Sequence, residues 1–250
     1  MTVQPDERPW LRQGEWDVRF EWGPTGAAAV PADVVVVVDV LRFTTAVDAG
    51  VGRGAMVFPY RWRDASARDF ADRAGAVLAD PGAAVGPSLS PVSLLQLGPG
   101  DRLVLPSPNG STCAAIADDH GATVLAACLR NAAAVGSWLN EMARSVTVIA
   151  CGERWEDESL RPSLEDHLGA GAVISALSGA RSPEAQAAAD AWAAANPSIA
   201  EVIAECVSGR EAIARGWERD VGFAVDVNAS PAVPILHDGG FVDARGDARQ

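Results

Sequence analysis

Five consecutive valines, residues 34–38, constrain the fold of this sequence more than any other feature. Valine is β-branched, which favours an extended backbone, and five residues are too few for a helix. Successive side chains of a strand point to opposite faces, so this strand is apolar on both faces. Strands of this kind occur in parallel sheets that helices cover on both sides. The run therefore predicts an interior strand of an α/β sheet.

Further apolar runs alternate with helical patterns along the chain. They predict strands at residues 56–59, 102–105, 123–127, 146–151 and 233–236. They predict helices at residues 44–49, 65–74, 111–118, 132–142 and 164–177, and two more at 182–219 separated by a break at Asn196-Pro197. Strands that alternate with helices indicate parallel β-α-β units. We therefore predict an α/β fold in which a mostly parallel sheet is flanked by helices in three α/β/α layers.

The length of the chain is sufficient for one large domain or two small lobes with a buried core. We predict a single α/β catalytic unit at residues 15–242, or two lobes with the site between them. The ends, residues 1–14 and 243–250, are predicted to be flexible, because chain termini are often poorly ordered.

The composition excludes several kinds of protein. The formal net charge of −13 repels phosphate backbones and anionic lipids, so we predict no nucleic-acid partner and no membrane partner. The first residues lack the pattern of a secretory signal, so a cytoplasmic location is predicted. All 20 basic residues are arginine, which excludes enzymes that need a phosphate-loop or Schiff-base lysine. A monomer and a homo-oligomer are both compatible with this composition.

The first candidate for chemistry is Asp39, which directly follows the five valines. A carboxylate at the end of a buried strand needs a cation or hydrogen bonds. Arg42, Thr44 and Thr45 then open a helix, whose free N–H groups attract anions. Together these groups suit a phosphate ester bound with magnesium. The alternative is that Asp39 only caps the helix and pairs with Arg42.

The second candidate is the turn after the predicted strand at residues 102–105. Asn109-Gly110 permits positive φ angles, which lets successive amides point into one concavity, and Ser111 and Thr112 can then cap a helix. Such a turn, together with Ser107, can hold a phosphate. An ordinary capped turn has the same sequence.

The third candidate is the acidic pair Glu165-Asp166. A magnesium site in a protein usually takes one or two carboxylates, with waters and substrate oxygens completing the shell. Asp166 is therefore a candidate for a second carboxylate facing Asp39, and Glu165 a further contributor. The alternative is a capping box, in which Ser163 is the N-cap and Asp166 lies at N3.

In this order, the three segments resemble the 2-phosphosulfolactate phosphatase family. That family has a strand followed by Asp-hydrophobic-Leu-Arg-x-Thr, which residues 39–44 match. It has a central turn ending in Asn-Gly-Thr, where residues 109–111 are similar, and an asparagine after the next strand, which Asn131 matches. It also has an acidic pair opening a glycine-containing helix, as Glu165-Asp166 does here.

The resemblance implies a magnesium-dependent α/β phosphatase that hydrolyses a small anionic substrate, 2-phosphosulfolactate, to sulfolactate and phosphate. The catalytic residues are then expected to be Asp39, Arg42, Asn109 and Asp166. The magnesium ligands are expected to be Asp39, Asp166 and Glu165. The substrate-binding residues are expected to be Thr44, Thr45, Ser107, Gly110, Ser111, Thr112 and Asn131.

One segment departs from the family pattern. Family members usually carry Gly-Glu-Arg before the central strand and then Asn-Ser-Pro, whereas this chain has Leu-Ala-Asp-Pro-Gly at residues 78–82 and Leu89 in place of the asparagine. The letters Gly-Glu-Arg occur instead at residues 152–154. An alternative function is therefore a non-catalytic, anion-binding relative that has lost the chemistry of the family.

Overall fold

A computed structural model describes residues 8–80, 86–142 and 144–246. The strands in these ranges are β1 Val18–Trp22, β2 Val34–Val38, β3 Met56–Tyr60, β4 Val77–Leu78, β5 Arg102–Pro106, β6 Thr123–Ala127, β7 Val146–Ala150, β8 Glu153–Arg154, β9 Leu160–Arg161, β10 Pro234–His237 and β11 Gly240–Asp243. The α-helices are α1 Gly23–Ala29, α2 Phe43–Val51, α3 Ser66–Ala74, α4 Gly110–Asp119, α5 Ala132–Met142, α6 Leu164–Ala176, α7 Pro183–Ala195, α8 Ile199–Glu205, α9 Val207–Ala214 and α10 Glu218–Ala224. Short 3-10 helices lie at Pro9–Arg12, Pro91–Gln96 and Asn196–Ser198.

Nine of the strands form one sheet, in the order β1-β7-β2-β6-β10-β11-β3-β5-β4. The group β1-β7-β2-β6 is parallel, and so is the group β3-β5-β4. The antiparallel hairpin β10–β11 joins the two groups, with Ile235 opposite Leu125 on one side and Phe241 opposite Val57 on the other. The prediction of a mostly parallel sheet within an α/β/α fold is confirmed.

The five valines form β2, between β7 and β6, and each is at most 1% exposed. Residues 34, 36 and 38 pack in the core that includes side chains of α5, α6 and α7. Residues 35 and 37 pack on the opposite side, with side chains of α1, α2 and α4. Because burying one valine contributes about 1.5–3 kcal/mol, this strand is a major source of stability for both layers.

The alanine-rich segment differs from its prediction. Instead of two helices, residues 182–219 contain three, α7, α8 and α9, and the start of α10. Helices α8 and α9 are separated at Cys206, whose backbone is extended. The Sγ atom of Cys206 accepts a hydrogen bond from the N–H of Gly209. A Cβ atom on Gly209 would lie 1.8 Å from the carbonyl oxygen of Ile203, so the turn is tight enough to require glycine. Helix propensity alone does not reveal such a turn.

Strand β1 and helix α1 were not predicted, and neither was the hairpin β8–β9. Part of the predicted flexible ends, residues 1–7 and 247–250, lies outside the described residues. Within the description, Pro9–Arg12 form a 3-10 helix and Asp243 belongs to β11, where it pairs with Pro234. No helix in the described ranges has the length and apolar composition needed to cross a membrane.

Candidate active site

A cleft of about 1190 Å³ lies beyond the carboxyl ends of β2, β3, β5 and β7. Ligands of open α/β sheets bind at this edge, because the loops there are free to carry polar side chains. The walls come from the loops after these four strands, from residues 79 and 88–90 after β4, and from α9 and the residue before α10. The cleft therefore collects residues from both parallel groups of the sheet.

Asp39 ends β2 and lines the cleft, although only 6% of it is exposed. Its Oδ1 atom accepts a hydrogen bond from the N–H of Phe43 at 3.0 Å, and its Oδ2 atom accepts one from the N–H of Gly110 at 3.2 Å. Burial raises the pKa of Asp39 to about 7, and repulsion from Glu153 and Glu165 adds to this, while the two N–H donors oppose it. Asp39 thus joins the loops after β2 and β5 and carries a charge that nearby carboxylates disfavour.

Thr44 and Thr45 hold the loop that carries Asp39. The Oγ1 atom of Thr44 donates to the carbonyl of Asp39 at 2.8 Å and accepts from its N–H at 2.9 Å. The Oγ1 atom of Thr45 donates to the carbonyl of Val40 at 2.7 Å. Both threonines are fully buried and neither lines the cleft. These two predicted substrate-binding residues therefore lie beneath the cleft.

Arg42 lines the cleft and is held by the C-terminal helices. Its Nη1 atom lies 2.6 Å from Oδ2 of Asp220 on α10, and its guanidinium lies 3.7 Å from the centre of the Trp217 ring. The other carboxylate oxygen of Asp220 accepts a hydrogen bond from Ser90. The peptide bond before Arg42 is cis. Asp39 accepts a hydrogen bond from the first residue of α2, as the capping alternative predicts. The same alternative pairs Asp39 with Arg42, whereas Arg42 pairs with Asp220.

The turn after β5 needs its glycine for a different reason from the one predicted. Asn109 has a φ of −84°, and Gly110 is not among the glycines with positive φ, so the expected concavity of positive-φ amides is wrong. A Cβ atom on Gly110 would instead lie 2.2 Å from the ring of Phe43. The absence of a side chain lets α4 begin against Phe43, where the N–H of Gly110 reaches Asp39.

Asn109 is the centre of the polar contacts of this turn. Its Nδ2 atom donates to Oε2 of Glu153 at 3.0 Å, and its Oδ1 atom accepts from Nε of Arg154 at 3.4 Å. Ser107 and Thr112 also line the cleft, and the hydroxyl of Thr112 donates to the carbonyl of residue 108 at 2.5 Å. The remaining predicted hydroxyl, Ser111 Oγ, is buried and has no hydrogen-bond partner among the described residues.

Glu153 and Arg154 line the cleft but are not among the site residues predicted from the sequence. The family pattern has the same letters, Gly-Glu-Arg, before the central strand rather than at residues 152–154. Glu153 and Arg154 follow β7 as Asp39 follows β2, and β7 is the direct neighbour of β2 in the sheet. Side chains after adjacent parallel strands meet at the same edge, so this signal was present once the strand order was known. A charged pair that two residues separate from a buried strand is the feature of the sequence that points to them.

Asp166 lies beneath the cleft. Its Oδ1 atom accepts a hydrogen bond from the N–H of Val40 at 2.7 Å, and its Oδ2 atom accepts one from the N–H of Gly152 at 2.9 Å. It therefore joins the loops after β2 and β7. Burial, Glu165 and Asp39 all raise the pKa of Asp166 well above its usual value. Ser163 makes no capping hydrogen bond, so the alternative capping box is not formed.

Glu165 and Asn131 also lie outside the cleft lining. The Oε2 atom of Glu165 accepts a hydrogen bond from the thiol of Cys206 at 3.5 Å, and Glu165 is only 2% exposed. Asn131 is fully buried, where its Oδ1 atom accepts from the N–H of Cys128 at 2.8 Å and its Nδ2 atom donates to the carbonyl of Ala232 at 3.4 Å. The structure thus gives Asn131 contacts with the loop after β6 and the segment before β10.

A family model described as 2-phosphosulpholactate phosphatase matches residues 25–239. The chain belongs to this family. The predicted resemblance is confirmed, and the matched residues include the cleft loops after all four strands. A comparison with curated proteins found no match.

The cleft of this phosphatase-family chain reverses the sign of the overall charge. It is lined by six arginines and five carboxylates, whereas the whole chain has a formal net charge of −13. The arginines are Arg42, Arg61, Arg63, Arg154, Arg161 and Arg215. Local guanidinium groups of this kind let an acidic protein accept an anion within a pocket.

The donors of the cleft fit a magnesium ion that has few protein ligands. No three acidic, histidine or cysteine side chains form a metal-binding group in the described ranges, so the structure does not assemble Asp39, Asp166 and Glu165 into one ligand set. Asp39 and Glu153 line the cleft together, and their charges repel each other. Magnesium commonly takes one or two carboxylates and keeps several waters, which two such carboxylates can satisfy.

Proposed function

We propose that this chain is a magnesium-dependent phosphatase that hydrolyses a small phosphorylated acid, with 2-phosphosulfolactate as the substrate. The proposal rests on one observation above all. In a chain of a phosphatase family, Asp39, Arg42, Asn109 and Glu153 line one arginine-rich cleft at the carboxyl edge of the sheet.

Each of these residues has a role that follows from its contacts. Asp39 and Glu153 would hold the magnesium ion, which when bound neutralises negative charge on the phosphate as the reaction proceeds. Arg42, fixed by Asp220, would hold phosphate oxygens through its guanidinium. Asn109 fixes Glu153 through its amide nitrogen and so keeps that carboxylate at the cleft.

The non-catalytic alternative receives no support from the family match. It depended on the loss of glutamate and arginine from the segment at residues 78–82. Glu153 and Arg154 both line the cleft, so the site contains these groups from another loop.

A screen of phosphomonoesters tests the proposal. The purified protein is expected to release phosphate from small phosphorylated carboxylates and sulfonates when magnesium is present, and to lose this activity in EDTA. Ligand stabilisation in thermal unfolding without any turnover would instead support the binding-protein alternative. A folded protein that neither binds nor hydrolyses any of these esters would refute the proposal.

Asp220→Asn is expected to lower kcat/KM about tenfold to hundredfold, because a hydrogen bond to a charged group contributes about 1.5–3 kcal/mol. The change removes the charge that holds Arg42 and leaves a side chain of similar size. Asp220→Glu should restore part of the activity. The control is Asp226→Asn, which removes an exposed carboxylate that pairs with Arg130 outside the cleft. Equal losses in Asp220→Asn and Asp226→Asn would contradict a positioning role for Asp220.

The stability of the metal-free protein is expected to fall as the pH rises from about 4 to about 7. The pKa of Asp39 is raised to about 7 in the folded chain, so the folded state binds more protons than the unfolded state in this window. A carboxyl whose pKa moves from about 4 to about 7 changes the free energy of unfolding by about 4 kcal/mol. Urea unfolding in EDTA at several pH values measures this. The Asp39→Asn protein should show a shallower dependence, and identical slopes would contradict the assignment.

A further inference from the structure

Two arginines of the cleft have no counter-charge in the described part of the chain. Arg61 and Arg63 follow β3 and flank Trp62, and all three residues line the cleft. Neither guanidinium forms an ion pair or a hydrogen bond with any residue in the described ranges. An arginine that lines a cleft without a partner is available to an anionic ligand.

The other arginines of the cleft are already engaged. Three are paired with carboxylates: Arg42 with Asp220, Arg154 with Glu158 and Arg215 with Glu211. A fourth, Arg161, donates to Ser208 Oγ at 3.3 Å and lies 5.8 Å from the centre of the Trp155 ring. Among the cleft arginines in the described ranges, the two in the loop after β3 are therefore the ones that have neither a carboxylate partner nor a hydrogen-bond partner.

This loop is joined to the turn after β5, which contacts Asp39. The carbonyl of Tyr60, the residue before Arg61, accepts a hydrogen bond from the N–H of Ser107 at 2.8 Å. Ser107 opens the turn whose Gly110 donates to Asp39. The segment that carries the two arginines is thus tied by a backbone hydrogen bond to the turn that contacts Asp39, and all three side chains line the same cleft.

We propose that Arg61 and Arg63 form a second anion subsite, which binds the carboxylate or sulfonate of a phosphate ester. Carboxylates and sulfonates present paired oxygens that match the planar donor fork of arginine. The inference rests on the proposed function, because it places the phosphate of the same ester near Asp39, Arg42 and Asn109. It assigns substrate choice to the loop after β3 and turnover to the loops after β2, β5 and β7.

Three esters that differ by one anionic group at a time test the subsite. Isopropyl phosphate carries no second anion, phospholactate replaces one methyl group with a carboxylate, and 2-phosphosulfolactate adds a sulfonate. With the unchanged protein, kcat/KM is expected to rise about tenfold to hundredfold with the first added anion, and further with the second, as expected for charge-assisted hydrogen bonds.

The variants Arg61→Gln and Arg63→Gln, alone and together, should reduce this discrimination. The ratio of kcat/KM for phospholactate to that for isopropyl phosphate is expected to fall about tenfold or more in the double variant. Arg68→Gln is the matched control, because Arg68 is an exposed arginine on α3 that does not line the cleft. It should leave the ratio unchanged, and thermal unfolding should show that all the variants fold.

Calorimetric titration with sulfolactate separates failure of the subsite from failure of the phosphatase proposal. The unchanged protein is expected to bind sulfolactate at least tenfold more tightly than the double variant does. If no ester is hydrolysed, the phosphatase proposal fails, and this titration still decides the subsite. Equal binding by both proteins, no binding to the unchanged protein, or an unchanged ratio of kcat/KM would overturn the subsite.

Discussion

Asp39→Asn is expected to lower kcat for magnesium-dependent phosphate release by about 10³-fold or more, the scale of losing a group that acts directly in a site. The substitution removes the negative charge with which Asp39 would hold the metal. It also places an amide nitrogen opposite one of the two N–H donors that contact the carboxylate, from Phe43 and Gly110. Steady-state phosphate release at saturating magnesium measures the change.

Asp33→Asn is the matched control for Asp39. Asp33 directly precedes the first residue of β2, at the end of the strand opposite to Asp39. It is exposed and accepts hydrogen bonds from Ser145, so the same chemical change occurs away from the cleft. The activity of the Asp33→Asn variant should stay within about twofold of that of the unchanged protein, in line with the small effects typical of surface substitutions. Asp39→Ala provides a second variant if Asp39→Asn folds poorly. A folded Asp39 variant that retains a tenth of the activity would remove Asp39 from the mechanism.

Gly110→Ala is expected to lower the free energy of unfolding by about 3 kcal/mol and to reduce activity strongly. An added methyl group would lie 2.2 Å from the ring of Phe43, which is fully buried and cannot move aside freely. The start of α4 must then shift away from α2 and lengthen the hydrogen bond from Gly110 to Asp39. Urea unfolding and phosphate release measure the two effects.

Gly222→Ala makes the same change where there is space for it. No atom lies within 4 Å of a Cβ built on Gly222, which is inside α10. Because alanine favours helices over glycine, we expect an increase in stability of about 0.5–1 kcal/mol. If Gly110→Ala behaved like Gly222→Ala, the close contact between α4 and Phe43 would not be what requires glycine at residue 110.

The contacts that assemble the cleft were much less predictable from sequence than the elements that carry them. The prediction of Asp39, Asn109 and Arg42 rests on the rule that polar residues after buried strands lie at the edge of a sheet. Thr44, Thr45 and Asn131 met similar criteria, but their polar atoms satisfy backbone groups beneath or beside the loops. A hydroxyl or amide near a strand end can either line the cleft or satisfy a backbone group. Only the positions of the neighbouring backbone groups distinguish these two roles.

The same limitation explains why Glu153 was missed. Glu153 is held at the cleft by Asn109, which is 44 residues away in the chain and donates a hydrogen bond to it at 3.0 Å. Likewise, Arg42 is fixed by Asp220, at a separation of 178 residues. The position of Glu153 after a strand has a sequence signal, but neither of these two contacts has one, since each depends on where two loops end after the sheet has formed.

The sequence by itself determined the buried strand at residues 34–38, the alternation of strands with helices and the polar residues that follow the strands. These properties depend on side-chain shape and periodicity, which act over a few neighbouring residues. Only the tertiary structure decided the strand order, in which β7 lies beside β2 and the hairpin β10–β11 joins two parallel groups. That order sets which loops share an edge, because distant segments are brought together by packing of the whole sheet and its helices.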